Sequence, residues 1–348
     1  MIYGATGYTG VLLAEEAARR GQRPVLAGRS AQKLQPLAER LGLDWVAADL
    51  RDVQALTRAV GQVGLVLHAA GPFTHTADPM LRACLAAGAH YLDITGELPV
   101  FRQTFGYDAT ARRRKVALIS GVGFDVVPTD CMALYVATRT PGATELELAI
   151  AAEIQISAGT AKSALEMAPS SGYVRRDGRL VPLSPGVGAR RVRFSHRELS
   201  AMPIPWGDLE TAYRSTGIPN ITTLLATPEP VITFTRLTWP LTRQFMAVQP
   251  IRQLMQQVAT QFMRGPDEAT RATARAYIWA RAADERGNAT QAWLETPEAY
   301  HFTSLAGLRC VERLLKTPCE GALTPAQAFG ADLVLEIEGV RRLDGVKG

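Results

Sequence analysis

The sequence holds 348 residues, 47% of them hydrophobic and 20% charged, with a formal net charge of +5. That length has room for two domains, each with its own core, and the mild, dispersed charge argues against a nucleic-acid-binding stripe. Four scattered cysteines without a CxxC pair fit free thiols in a reducing cytoplasm, and the sequence carries neither a signal-type leader nor an 18-residue apolar run that would predict a membrane span.

In chain order, MIY reads as a short strand ahead of the turn G-A-T-G-Y-T-G at 4–10, and VLLAEEAARR as a helix closed by Gly21. RPVLAG is an apolar run consistent with a buried strand. Ser30 caps a second helix whose Leu34, Leu37 and Leu41 share one stripe, and DWVAADL is the third strand. A helix from about Asp52 to Val60 leads to GLVLHAAGPF. One near Asp78–Ala87 leads to HYLDITGE, and one from about Pro99 to Arg114 leads to VALISGVG. Six strands alternating with five helices predict an α/β domain: a doubly wound, Rossmann-type parallel sheet covered on both faces. Only three residues precede Gly4. Either the central strand is short, or the natural start lies upstream of Met1.

The second half changes character. TELELAIAAEIQIS alternates like an antiparallel strand and leads into a helix at GTAKSALEMA. RVRFSH, PNITTLLAT and the two halves of ATARAYIWARAADERGNATQAWLET around an RGN turn add strands. Together they predict an inserted α+β domain containing a mainly antiparallel sheet. A helix at 301–316 then returns to the first domain, so the expected boundaries are 1–130, 131–300 and 301–348. Within RLTWPLTRQFMAVQPIRQLMQQVATQFMRG, Phe245, Met246, Ile251, Leu254, Met255, Val258, Phe262 and Met263 recur at helical spacing. Arg243, Arg252 and Arg264 punctuate them and no acidic residue does. A packed helix pair or a homodimer surface is the default reading. A lid over a lipid-like substrate, or a peripheral membrane contact through 243–264, is the rival.

The early glycines have strand before them and helix after them, which is the context a dinucleotide site requires. Gly4 permits a tight turn, Gly7 lets backbone approach a diphosphate, and Gly10 lets the helix pack close, with phosphate at the positive helix end. Ala5, Thr6, Tyr8 and Thr9 complete that loop. The second strand ends AGRS where NAD sites usually place an acidic residue. Arg29 and Ser30 there suit a 2′-phosphate and so NADP, with Lys33 one turn on. Asp49, ending the third strand, either sits near the adenine or is a cap or turn residue.

Polar groups fall at the carboxyl ends of strands, where such sheets place their ligands. Tyr91 is a proton donor or a half-buried strand residue. Asp93 pairs with Glu97 as acid and base, or both bind helix ends and loop amides. After the sixth strand come Asp125, Thr129 and Asp130, the last either catalytic or the N-cap of the helix begun by CMALYVA. Lys162 is a substrate anchor, a proton donor or an exposed lysine, and His75 stands similarly. Five histidines without close Cys/His spacing predict no metal.

The stretches GATGYTG, LAGRS, HAAGPF, YLDITGE and GVGFDVVPTD, with TPEAYHFTSL and ALTPAQAFG later, resemble the saccharopine dehydrogenase-like oxidoreductases. The similar branch is that of the mycobacterial trans-acting enoyl reductases and the animal saccharopine dehydrogenase-like oxidoreductase. The resemblance is most specific over 1–130 and weaker over 140–270. It implies an NADP-linked oxidoreductase in which Ala70, Gly71 and Pro72 line the cofactor near its nicotinamide half, and it does not imply saccharopine as substrate. The resulting expectation is hydride transfer to a C=C or C=O group of an apolar or lipid-linked acyl substrate, in the cytoplasm, with or without membrane association. The enzymatic rival is an amino-acid imine dehydrogenase using Arg175, Arg176 and Arg179, whose RRDGR setting looks like a hairpin tip. The non-enzymatic rival is a scaffold that keeps NADP as a structural ligand.

Overall fold

The computed structural model describes residues 1–152, 155, 157–167, 172–263 and 265–344. The chain forms two compact units, Met1–Asp125 with Tyr300–Phe329, and Val126–Ala299 with the remaining C-terminal residues.

The first unit begins with β1 (Ile2–Tyr3), α1 (Tyr8–Arg19), β2 (Leu26–Gly28), α2 (Ala31–Leu41), β3 (Trp45–Ala47), α3 (Val53–Val60) and β4 (Leu65–His68). It continues through α4 (Phe73–Ala87), β5 (His90–Asp93), α5 (Leu98–Gly106), α6 (Asp108–Arg114) and β6 (Ala117–Ile119). The central strand has two residues. It is nonetheless paired in parallel on both sides, Ile2 with Leu26 and with Leu67. Two elements differ from the sequence pattern. α4 starts at Phe73 rather than near Asp78, because its first amides are capped from a distant residue described below. The single helix expected over 99–114 is two, α5 and α6, broken at Tyr107 just after Gly106, a poor helix former.

The second unit runs α7 (Val127–Arg139), β7 (Glu145–Ala152), α8 (Ala158–Met167), β8 (Gly172–Arg176), β9 (Arg179–Leu183), β10 (Arg190–Arg193) and β11 (Glu198–Pro203). Then come α9 (Asp208–Thr216), β12 (Asn220–Ala226), α10 (Glu229–Ala247), α11 (Gln249–Phe262), α12 (Glu268–Thr273), β13 (Arg275–Ala283) and β14 (Ala289–Pro297). Asp177 and Gly178, with φ of 48° and 73°, make the two-residue turn between β8 and β9 that an Asp-Gly pair favours. β7 lies antiparallel to β13 but parallel to β12, so the sheet is mixed although its other pairings are antiparallel. Residues 153, 154 and 156, at the end of the run expected to form this strand, lie outside the described residues.

The return segment is α13 (Ala299–Lys316), β15 (Gly321–Leu323), α14 (Pro325–Phe329), the 3-10 turn Leu333–Glu336 and β16 (Arg341–Asp344). β15 adds a parallel seventh strand beside β6, giving the order β15-β6-β5-β4-β1-β2-β3. Seen from β3 to β6, this is the doubly wound order with one strand appended. The second sheet runs β10-β11-β12-β7-β13-β14-β16, with β8 and β9 attached through β12. The expected return of 301–348 to the first domain therefore divides. Residues 300–329 lie there, whereas β16 pairs with β14, Trp293 opposite Leu343, in the second unit.

Candidate functional site

The glycine turn joins the central strand to α1 and is shaped by close contacts. Gly4 has φ +84°, and a Cβ on it would sit 2.7 Å from the Ala70 amide nitrogen. A Cβ on Gly10 would lie 2.1 Å from the Gly4 carbonyl oxygen. Only glycine fits at either position, so the helix start rests directly on the turn. Gly7 is different. Its φ of −77° is open to any residue, it is exposed, and it occupies the N-cap of α1 with no side chain capping that helix end. Ala5 is fully buried, with its amide on the Ala27 carbonyl, so its side chain belongs to the core. Thr6, Tyr8 and Thr9 are half-buried, and the Tyr8 ring stands edge-on to Tyr300 of α13. The positive end of α1 is thus left to backbone amides, the arrangement that receives an anion.

One strand over, Arg29 follows β2, exposed, with no hydrogen bond or ion pair among the described residues. Ser30 occupies the N-cap of α2, yet its hydroxyl makes no cap bond. Lys33 is exposed in the first turn of the same helix. Asp49 resolves as a turn residue: it accepts from the Arg51 amide and guanidinium at 2.8–3.1 Å, which hold its pKa down at about 2. The two groups expected to meet a 2′-phosphate are therefore uncommitted, while Asp49 is engaged locally.

The loop after β4 places Ala70 and Pro72 half-buried and Gly71 exposed, with a cis peptide between the last two. The Thr76 hydroxyl lies 2.6 Å from the Ala70 carbonyl, which it ties to α4. Glu97, almost fully buried, accepts from the Phe73 and Thr74 amides at 2.9 and 2.7 Å and from the Thr74 hydroxyl. It is the cap of α4, supplied from the loop after the neighbouring strand β5.

Tyr91 and Asp93 are engaged with each other. Both are wholly buried, and the Tyr91 hydroxyl donates to Asp93 at 2.8 Å. Asp93 also accepts from Ser120 and from the Thr95 and Gly121 amides. Burial and the neighbouring carboxylate push the Tyr91 pKa well above 10. With its acceptor sites filled and no exposed surface, the pair fastens β5 to the loop after β6. His68 beside it, among the rings of Tyr3, Phe73 and Tyr91, is neutral, with burial lowering its pKa to about 3.

Asp125 is the group that remains. It closes the loop after β6, and no hydrogen bond to its carboxyl occurs among the described residues. Its Oδ2 lies against Gly96, where an added Cβ would come within 2.7 Å of it. Burial, and then the charge of Glu97, raise its pKa to about 6. The loop is braced by α13: the Phe124 amide donates to Thr303 Oγ1 at 3.0 Å, and Phe124 and Phe302 meet edge to face. A half-buried carboxylic acid with its pKa raised to about 6, in the loop after a parallel strand, can hold or release a proton. The sequence named Asp125 among its polar groups but could not separate it from its neighbours.

The other expectations fall elsewhere. Asp130 does not cap a helix. It sits one turn inside α7, whose N-cap is Val126, and is wholly buried while accepting from Ser215 Oγ at 2.6 Å. Lys162 is half-buried on α8 in the second unit, and His75 is exposed in the first turn of α4. Arg175 is held inside the second unit by the Leu209 carbonyl and Glu210, with its guanidinium over Tyr213.

A doubly wound parallel sheet with a glycine-shaped, side-chain-free helix start at its central strand defines the class: a Rossmann-type nicotinamide-dinucleotide-binding domain. Residues 1–118 match the family described as saccharopine dehydrogenase NADP binding domain. Over these residues, about a third of its length, the chain is similar to that family. It is 38% identical over 156 residues to a putative trans-acting enoyl reductase of Mycobacterium tuberculosis, covering 42% of this chain and 37% of that protein. With a trans-acting enoyl reductase of Mycobacterium ulcerans it is 35% identical over 138 residues, 37% of this chain and 33% of the relative. The matches thus span about a third of the length of these relatives. Among solved structures, apo saccharopine dehydrogenase (L-Glu forming) from Saccharomyces cerevisiae superposes with a TM-score of 0.70 at 9% identity, over 99% of both chains. A homospermidine synthase from Legionella pneumophila, in complex with NAD, gives 0.63 at 9% over 99% of this chain and 90% of the other. At such identities these two share the fold alone.

Proposed function

We propose that this protein is an NADP-dependent oxidoreductase that reduces a C=C or C=O group of an apolar acyl substrate. The observation that carries the cofactor reading is the pairing of an uncapped α1 start with an uncommitted Arg29 and Ser30 one strand away. The amides at Tyr8 and Thr9 take the diphosphate, Arg29 with Ser30 and Lys33 takes the 2′-phosphate, and Ala70, Gly71 and Pro72 border the nicotinamide half. Bound there, the cofactor supplies hydride. Asp125 supplies the proton, to the neighbouring carbon of an alkene or to the carbonyl oxygen, and is left as carboxylate to be reprotonated from solvent. The enoyl reductase relatives favour the carbon–carbon double bond by analogy.

Fluorescence titration with NADPH and NADH tests the cofactor assignment. Intact protein should prefer NADPH, and Arg29→Ala should weaken NADPH binding about 10- to 100-fold while leaving NADH little changed. Equal affinity of the intact protein for both would refute the phosphate role. Turnover is tested separately, with a panel of enoyl and carbonyl thioesters. Tight NADPH binding with no oxidation on any of them would leave the scaffold reading standing. Because Arg175 is engaged internally, the imine-dehydrogenase rival loses one of the three arginines offered as a carboxylate clamp.

A further inference from the structure

We propose that α10 and α11 dock the protein on the surface of an anionic lipid bilayer. The inference is independent of the activity assigned above. On α10 the large apolar residues Phe234, Leu237, Leu241 and Phe245 are 66%, 73%, 65% and 63% exposed. Their spacing of three, four and four residues, with Val231 one turn earlier, puts them on one side of the helix. Val248, Leu254, Met255 and Val258 continue the exposed apolar surface onto α11. The stripe therefore centres on 231–245, ahead of the 243–264 segment that the sequence suggested. Arg264 lies outside the described residues, as do the side chains of Met246, Arg252 and Phe262.

Two further observations choose the occupant. The polar residues within the α10 stripe are already satisfied: Thr238 donates to the Phe234 carbonyl at 2.9 Å and Thr242 to that of Thr238 at 3.1 Å. Hydroxyls folded back on their own helix need no water, so the face can enter an apolar medium. Glu229, which opens α10, is engaged by Ser200 and Arg191, and beyond it the charge is one-signed. From 230 to 266 the sequence has Arg236, Arg243, Arg252 and Arg264 and no Asp or Glu. A symmetric contact between two copies would set this arginine-only run against itself with no carboxylate to answer it. Anionic headgroups complement it, with phosphates meeting guanidinium groups while Phe and Leu side chains enter the acyl boundary. Among the described residues no helix is long and apolar enough to cross a membrane, so the contact lies in the surface plane.

The test is flotation of the full chain with phosphatidylcholine vesicles, with and without phosphatidylglycerol, at low and high salt. Binding should require phosphatidylglycerol and weaken with salt. Leu237→Ser combined with Leu241→Ser should raise the lipid concentration for half-binding by about tenfold or more, and Arg243→Glu should do so on phosphatidylglycerol vesicles. Both variants change exposed positions, and thermal melting verifies that they stay folded. Sedimentation equilibrium without lipid completes the set. The proposal is overturned if the intact protein fails to float with phosphatidylglycerol vesicles, or if it binds both compositions equally. It is also overturned if both variants bind like the parent, or if the chain is a dimer that the leucine variant dissociates.

Discussion

Asp93 ends one strand of the parallel sheet and Asp125 follows the next, and their surroundings give them opposite characters. Asp93 receives four hydrogen bonds and no solvent, whereas Asp125 receives none among the described residues and is lifted to a pKa of about 6. An acid poised so should show in the pH profile. In the reductive direction kcat/KM should fall as pH rises through about 6, because the protonated form is consumed. Asp125→Asn should lower kcat by about 10²–10⁴-fold. Stability should move the other way. A carboxyl whose folded pKa lies above its unfolded value destabilises the fold once pH exceeds that folded pKa, and the penalty fades as pH falls through about 6 toward the unfolded value. Asp125→Asn should therefore raise the melting temperature at neutral pH and change it little near pH 4, as calorimetry would show. A gain in stability with a loss in rate would distinguish a working acid from a merely structural one.

At the scale of elements, α4 is held by a residue outside it. Glu97→Ala removes the acceptor for two first-turn amides and should cost about 1–2 kcal/mol in urea unfolding. The same change deletes the second contributor to the raised pKa of Asp125, so the limb of the pH profile should move to lower pH. Gly10→Ala would force a methyl group to within 2.1 Å of the Gly4 oxygen, displacing the start of α1. NADPH affinity should fall steeply by titration, more than for Gly7→Ala, whose added methyl would meet the Gly4 oxygen at 3.3 Å. These elements also mark what a sequence can disclose. The six strands and the glycine turn were legible because period and spacing are local. The start of α4 was not, because its cap is 23–24 residues away. Asp130 was misread although Pro128 beside it already marked a helix beginning earlier, since proline is favoured in the first turn. The engagement of Tyr91 with Asp93 was equally hidden, since period does not say which of a strand's polar ends meets solvent.

For the whole molecule, the C-terminal 49 residues matter to both units, because 300–329 complete the first and β16 extends the second. Truncation after Phe329 would strip β16 from β14 and also remove Arg342, whose guanidinium lies 3.6 Å over the Tyr135 ring, and Asp344, which accepts from the Tyr135 hydroxyl. The exposed strand edge should lower the melting temperature and promote aggregation, measurable by light scattering. The alternation of strand and helix disclosed the first unit, and the hairpins disclosed much of the second. The split of the tail between them had no local signal.

The appended strand β15 bears on how such a chain is made. Ile119 finds its neighbour Leu323 only after about 200 further residues have been synthesised. Until then the flank of β6 is bare and the loop carrying Asp125 lacks the brace of α13. A nascent chain arrested before residue 321 should consequently remain sensitive to protease at that flank and recruit chaperones, and release of the finished tail should end both.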